Sequence, residues 1–221
     1  MFSLRCRGWF ALWRAAIVDV FVKVWCDTTL RLGLAIAVVE RLRMFDNARL
    51  HVLCAKDTLH LGDWQDKQRF LWCDKEKFWI TTKAYAEQEA KSDIYVVIDD
   101  DHLPIGPDWL SHGCEVLGRN HEYGMLSSWS VNGEVPENGS GEVWPEASIG
   151  CPYFIRKGLF GNSLDQASAA LPDGPLRNYD TILTQFVMSK GWKTGFLRNV
   201  RHNHLGMEHS QVIPEHWTAV A

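Results

Sequence analysis

The order of apolar runs in the first half of the chain limits its fold more than any other feature. Residues 18–26 (VDVFVKVWC), 49–54 (RLHVLC) and 94–98 (IYVVI) are β-branched and aromatic stretches of strand length. Residues 30–43 instead repeat Leu, Ile, Val and Ala at helical spacing and finish with basic residues, behind an Asp27-Thr28-Thr29 segment suited to a helix N-cap. Residues 81–92 (TTKAYAEQEAKS) combine strong helix formers with a Thr cap, whereas the polar, Trp-containing stretch 56–78 carries no clear period. Strand, helix, strand, helix, strand predicts an α/β chain with a mostly parallel central sheet and helices on its faces. In such sheets ligands gather beyond the carboxyl ends of the strands, and Asp27, Asp57 and Asp99 stand at or just past such ends.

The second half changes character. A short helix is predicted at 108–117, a strand at 124–131 (GMLSSWSV), a turn-rich loop at 132–145, a strand at 151–155, an amphipathic helix at 179–190 stopped by Gly191, and a last strand at 192–200. That strand feeds a His-rich segment, HNHLGMEH. Loops of that length in a compact domain are either functional lids or disordered segments. With 221 residues, 46% of them apolar, the chain can close a substantial core, which excludes disordered and collagen-like classes. Twenty-three Lys+Arg against 27 Asp+Glu, a net charge of -4, argues against a nucleic-acid binder working through a basic surface.

Six cysteines without a CxxC pair write neither a zinc ribbon nor a thioredoxin motif, and buried free thiols in a reducing compartment are expected. The N-terminal stretch is interrupted by Arg5, Arg7 and Arg14 and is expected to be neither a signal peptide nor a membrane span. A cytoplasmic location follows as the expectation, with Phe2, Trp9, Phe10 and Trp13 forming either a packed arm or a peripheral membrane contact. Asn138-Gly139-Ser140 is a glycosylation sequon, meaningful only in a secretory pathway. Eleven Trp residues are an excess that core packing and sugar stacking can both use.

The strongest local feature is Asp99-Asp100-Asp101-His102 behind the apolar run at 94–98. Three consecutive carboxylates repel one another unless something positive sits among them, and a divalent cation does that. Asp99 and Asp101 alternate onto one side of an extended backbone and can share an oxygen-loving metal. A solvated acidic turn with a helix cap is the alternative.

On these residues the chain resembles a nucleotide-sugar-dependent glycosyltransferase of the GT-A fold, similar to glycosyltransferase family 2. Residues 83–104 (KAYAEQEAKSDIYVVIDDDHLP) are similar to that group's helix, strand and DxD segment, and a looser likeness runs from 18 to 206. The resemblance implies a Rossmann-like, three-layer GT-A fold: an arm at 1–17, a catalytic domain at 18–206 with a nucleotide-sugar half (18–104) and an acceptor half (105–206), and a tail at 207–221. It implies that Asp99 contacts the ribose or donor sugar and the metal, that Asp101 and His204 hold Mn²⁺ or Mg²⁺, and that Asp100 belongs to the donor site. Asp27, Thr28, Thr29 and Asp57 would hold the nucleoside, although each is equally a cap or turn former. Asp57 departs from the usual acidic pair, which leaves the nucleobase open. Lys83 occupies the place of a basic residue that approaches the nucleotide; a solvated helix lysine is the alternative.

The same resemblance makes Asp180 the catalytic base, with Tyr179 in place of the usual Glu before it. A plain helix N-cap competes for that position. His202 pairs with His204 by alternation, His209 follows, and Arg198 or Arg201 is placed to meet a departing diphosphate. Trp129, Trp144 and Tyr153 fall in the half that receives the acceptor. The implied activity is metal-dependent transfer of a sugar from a nucleoside diphosphate sugar to a hydroxyl acceptor with inversion. Two other classes compete: a carbohydrate- or nucleotide-sugar-binding protein without turnover, and an aspartate-based phosphotransferase, which usually carries its Asp-x-Asp near the chain start.

Overall fold

The computed structural model describes residues 16–25, 28–55, 68–71, 75–131, 141–161 and 179–206. Asp27, Asp57, residues 1–15 of the arm, the sequon, most of the predicted lid, Cys6, Cys26, Cys73 and His209 lie outside the described residues. The elements are β1 (Val18–Val24), α1 (Thr29–Arg43), β2 (Ala48–Ala55), β3 (Gln68–Leu71), α2 (Lys75–Glu89), β4 (Ile94–Asp99), β5 (His102–Ile105), α3 (Trp109–Arg119), β6 (Tyr123–Ser130), β7 (Val143–Pro145), β8 (Tyr153–Arg156), α4 (Tyr179–Ser189) and β9 (Lys193–His204). One sheet runs β3-β2-β1-β4-β8-β6-β9-β5, with β7 also on β9. Among the described residues, β1, β2, β3, β4, β6 and β9 point one way and β5, β7 and β8 oppose them, so the mostly parallel α/β architecture expected from the sequence is what forms.

The alternation of side chains along the central strands sorts the core into two layers. Val18, Val20, Val22 and Val24 of β1, with Ile94, Val96 and Ile98 of β4, pack under α1 and α3. Phe21, Tyr95 and Val97 look the other way, toward Ala86 of α2 and Leu183 and Val187 of α4. Both faces of β1 and β4 are covered, which is why β4 reads as a continuous apolar run and β1 as an apolar run broken only by Asp19 and Lys23. Burying a Val or Leu is worth roughly 1.5–3 kcal/mol, while an unpaired buried ion costs several. Each charge on β1 therefore has a partner.

At the amino end of β1 that charge is Asp19, whose side chain is fully buried. It accepts from Arg49 Nε and Nη2 at 2.5 and 2.6 Å, from the Lys91 and Ser92 backbone N–H groups at 2.6 and 2.9 Å, and from Ser92 Oγ, and it meets His51 Nε2 at 2.8 Å. Burial pushes its pKa up, but these partners outweigh that and hold the carboxyl well below the usual range. The cluster ties β1, β2 and the α2–β4 turn together at the sheet edge away from the carboxyl ends.

α1 begins as expected: Thr28 is its N-cap, Oγ1 accepting from Arg31 N at 3.3 Å, and Arg41 and Arg43 sit in the last turn. α2 differs. It starts at Lys75, so Thr81 lies inside the helix rather than capping it; the Lys-Glu-Lys start propagates a helix through a stretch whose aromatic residues obscured its period. β5 was not foreseen either, because Pro104 argues against a strand. β5 ends the sheet, where a missing N–H is tolerated. β9 runs past its expected end at 200 to His204 by pairing with β5.

Candidate active site

The carboxyl ends of β4, β6 and β9 border a cavity of about 380 Å³. β4 ends in Asp99, the chain turns through Asp100 and Asp101, and β5 then returns against the end of β9. The Leu205 N–H donates to the Asp101 carbonyl at 2.7 Å and closes this turn.

The three carboxylates relieve their repulsion by turning to three different partners. Asp99 pairs with Lys23 at 2.8 Å, as the β1–β4 register places these two residues side by side. Burial raises the Asp99 carboxyl, but Lys23, His102 and Lys83 outweigh it and hold the group well below the ordinary range. Lys23 is in turn held above the usual lysine range, burial being outweighed by Asp99. Asp100 turns away and accepts from the Trp25 N–H at 2.7 Å. Burial, with Asp101 and Asp99 nearby, pushes it up to about 7 against the pull of that N–H.

Asp101 faces two histidines. Its oxygens lie 3.4 Å from His102 Nε2 and 3.4 Å from His204 Nε2. His102 and His204 are cross-strand partners in the β5–β9 ladder, which puts both rings beside one carboxylate. Asp101 is lowered because the histidines outweigh its burial. His204 is raised by its bond to Asp101, and His102 is lowered by burial. His202 stacks on His102 with centroids 4.8 Å apart and planes at 8°, and its Nδ1 shares a 2.7 Å hydrogen bond with Ser128 Oγ. Burial and the two neighbouring rings push His202 down to about 2, so it stays neutral.

Asp101, His102 and His204 offer one carboxylate oxygen and two imidazole nitrogens within 4.8 Å of one another. Nδ1 of buried His102 has no hydrogen-bond partner among the described residues, an expensive state for a polar atom unless a ligand engages that nitrogen. The set fits a divalent ion. Two nitrogens suit Mn²⁺ and its transition-metal neighbours better than Mg²⁺, which prefers oxygen throughout. His102, directly after the aspartates, was absent from the expected ligands; Asp99, among them, lines the cavity but is committed to Lys23.

Asp180 reaches the same cavity from the first turn of α4. Tyr153 donates its hydroxyl to Asp180 Oδ1. A Cβ placed on Gly150, which lines the cavity, would meet Asp180 Oδ2 at 3.7 Å. Lys83 is fully buried rather than solvated, with its ammonium 5.2 Å from the Tyr153 ring centroid. Burial and Lys23 pull it down to about 8. Trp129 and Phe196 supply an aromatic wall, their centroids 4.6 Å apart and their planes at 84°. Trp144 is buried behind Trp129, and Arg198 lies 5.2 Å over its ring.

The structure thus brings Asp99, Asp101, His204 and Asp180 together in one cavity. Thr28 is an exposed cap, Asp100 faces the strand end, and Arg201 sits on β9 opposite Ile105. Lys23 was missed by sequence reasoning although it carried a signal, a lysine in the midst of an apolar run of strand length.

No protein-family model and no curated protein matches the chain. Solved structures do. TarS 1–349 from S. aureus superposes with a TM-score of 0.58 at 14% identity, covering 84% of this chain and 59% of that one. The same protein in complex with UDP-GlcNAc gives a TM-score of 0.59 at 13% identity, over 84% of this chain and 57% of that one. A putative glucose-1-phosphate thymidylyltransferase from Bacillus anthracis, in complex with a sucrose, gives 0.52 at 12% identity, over 86% and 90%. The chain spans about three fifths of the TarS 1–349 length. With the sheet order, these likenesses establish a GT-A type fold.

Proposed function

We propose that this chain transfers a glycosyl group from a nucleoside diphosphate sugar to a hydroxyl acceptor, with inversion at the anomeric carbon. The observation that carries the reading is one cavity beyond the parallel strand ends that holds both a cation-binding set and a separate carboxylate, Asp180. Its fold likeness to a protein solved with UDP-GlcNAc supports the donor class.

Asp101, His102 and His204 would hold a divalent ion, which when bound neutralises charge growing on the departing diphosphate. Lys23 keeps Asp99 ionised, so that its carboxylate can accept hydrogen bonds from a ribose or sugar hydroxyl. Asp180 takes the proton of the acceptor hydroxyl as the oxygen bonds the anomeric carbon. In the same displacement the bond to the diphosphate oxygen breaks, and that oxygen leaves with the electron pair. Trp129 and Phe196 offer flat apolar surface to an acceptor and help to exclude water from the reaction. Residues 18–104 form the donor half in this reading and residues 105–206 the acceptor half.

The test is release of nucleoside diphosphate from a panel of nucleotide sugars with Mn²⁺ and mixed glycan acceptors. Asp180→Asn is expected to lower turnover by about 10²–10⁴-fold while donor binding persists. Full turnover in Asp180→Asn would overturn the assignment of the base. Donor binding by the wild type with no turnover on any acceptor would favour a binding protein instead.

A further inference from the structure

We infer that Tyr153 is the positioning residue of the transfer reaction, holding Asp180 so that Oδ2 is the oxygen that takes the acceptor proton. The inference rests on the proposed transferase reading and assigns the two carboxylate oxygens different tasks. Oδ1 is engaged by the Tyr153 hydroxyl, which also lies 3.3 Å from the Ile149 carbonyl. Oδ2 lies on the side of Gly150, a cavity-lining residue that itself has no side chain.

Rigidity comes from the sheet. Tyr153 is fully buried on β8, paired with Val97 of β4 on one side and Ser127 of β6 on the other. A donor on a central strand fixes a carboxylate more tightly than one on a loop. Asp180 sits at the start of a helix, where the carboxylate could instead turn back to cap its own backbone. The bond to Tyr153 prevents that turn. The groups facing the phenol are Asp180, Lys83, Cys151 and Asp99, and burial followed by the Asp180 charge drives the phenol well above its ordinary pKa. Tyr153 therefore keeps its proton and donates it throughout the working pH range, so it orients the base without competing for the substrate proton.

A double-mutant cycle tests this, with kcat and donor Kd measured for Tyr153→Phe, Asp180→Asn and the pair. Tyr153→Phe keeps the buried ring and is expected to lower kcat roughly 10- to 100-fold, as loss of a hydrogen bond to a charged group does, with donor Kd within about twofold. In the Asp180→Asn background the same change should cost nothing further, because Tyr153 acts through Asp180. Unchanged kcat in Tyr153→Phe, or an equal loss in both backgrounds, overturns the inference while leaving the transferase reading intact if Asp180→Asn is impaired. Full turnover in Asp180→Asn overturns both. A measurement independent of the Tyr153 variant's folding is the hydroxyl proton resonance of Tyr153. It should lie far downfield in the wild type and move upfield in Asp180→Ala; no movement overturns the contact.

Discussion

Lys23 and Asp99 illustrate how single residues decide the chemistry of this site. A lysine in a central strand is costly unless a carboxylate meets it, and the register of β1 against β4 delivers Asp99. The acidic run was legible in the sequence, but the partnership with Lys23, the Trp25 N–H and His204 was not, because these three lie far from it in the chain. Reasoning from charge repulsion alone asked for one cation among three carboxylates. The fold supplies a lysine to one, a backbone N–H to another and a pair of imidazoles to the third. Lys23→Met is expected to destabilise the protein by about 2–4 kcal/mol, since it leaves Asp99 without its partner. Urea denaturation measures this, and a change below about 0.5 kcal/mol would contradict the pairing. His102→Ala and His204→Ala should each weaken Mn²⁺ binding at least about tenfold by calorimetry, whereas Thr28→Ala, remote from the ligands, should leave it unchanged. Equal Mn²⁺ affinity in His102→Ala would remove His102 from the metal set.

At the level of elements, most strands and helices were readable from period and composition, and the exceptions have physical causes. β5 hides behind Pro104 and exists because β9 extends to meet it. That pairing brings His102 beside His204, so the place of His102 in the metal set could not be read without it. α3 depends on close approach to the sheet: a Cβ on Gly113 would lie 2.3 Å from the Phe154 ring. Gly113→Ala is therefore expected to cost about 1–3 kcal/mol through overpacking, read as a lower urea midpoint at constant slope. A neutral effect would mean that α3 sits farther from β8. The Thr28 cap at the start of α1 shows the converse case, a residue whose local role was legible and whose ligand-binding role gains no support from its exposed place.

Across the whole molecule the sheet separates stability from chemistry. The Asp19 cluster closes the amino-end edge of β1, while the cavity borders the carboxyl ends of β4, β6 and β9. The Asp19 pKa is depressed on folding, so its contribution is present in full above the unfolded value of about 4 and fades as pH falls below it. Asp19→Asn should lower stability by about 2–3 kcal/mol near neutral pH and flatten the loss of stability on acidification; an unchanged acid profile would contradict the lock. The layer order was legible because β4 is apolar on both faces and β1 on one. The polarity of the site was legible only in part, since it depends on which strand ends converge. The most direct measurement of the central claim is release of nucleoside diphosphate from a nucleotide sugar with Mn²⁺ and acceptor, compared between wild type and Asp180→Asn. The expected result is turnover in the wild type and a loss of at least about 10²-fold in the variant with donor binding retained; equal turnover in both proteins would contradict it.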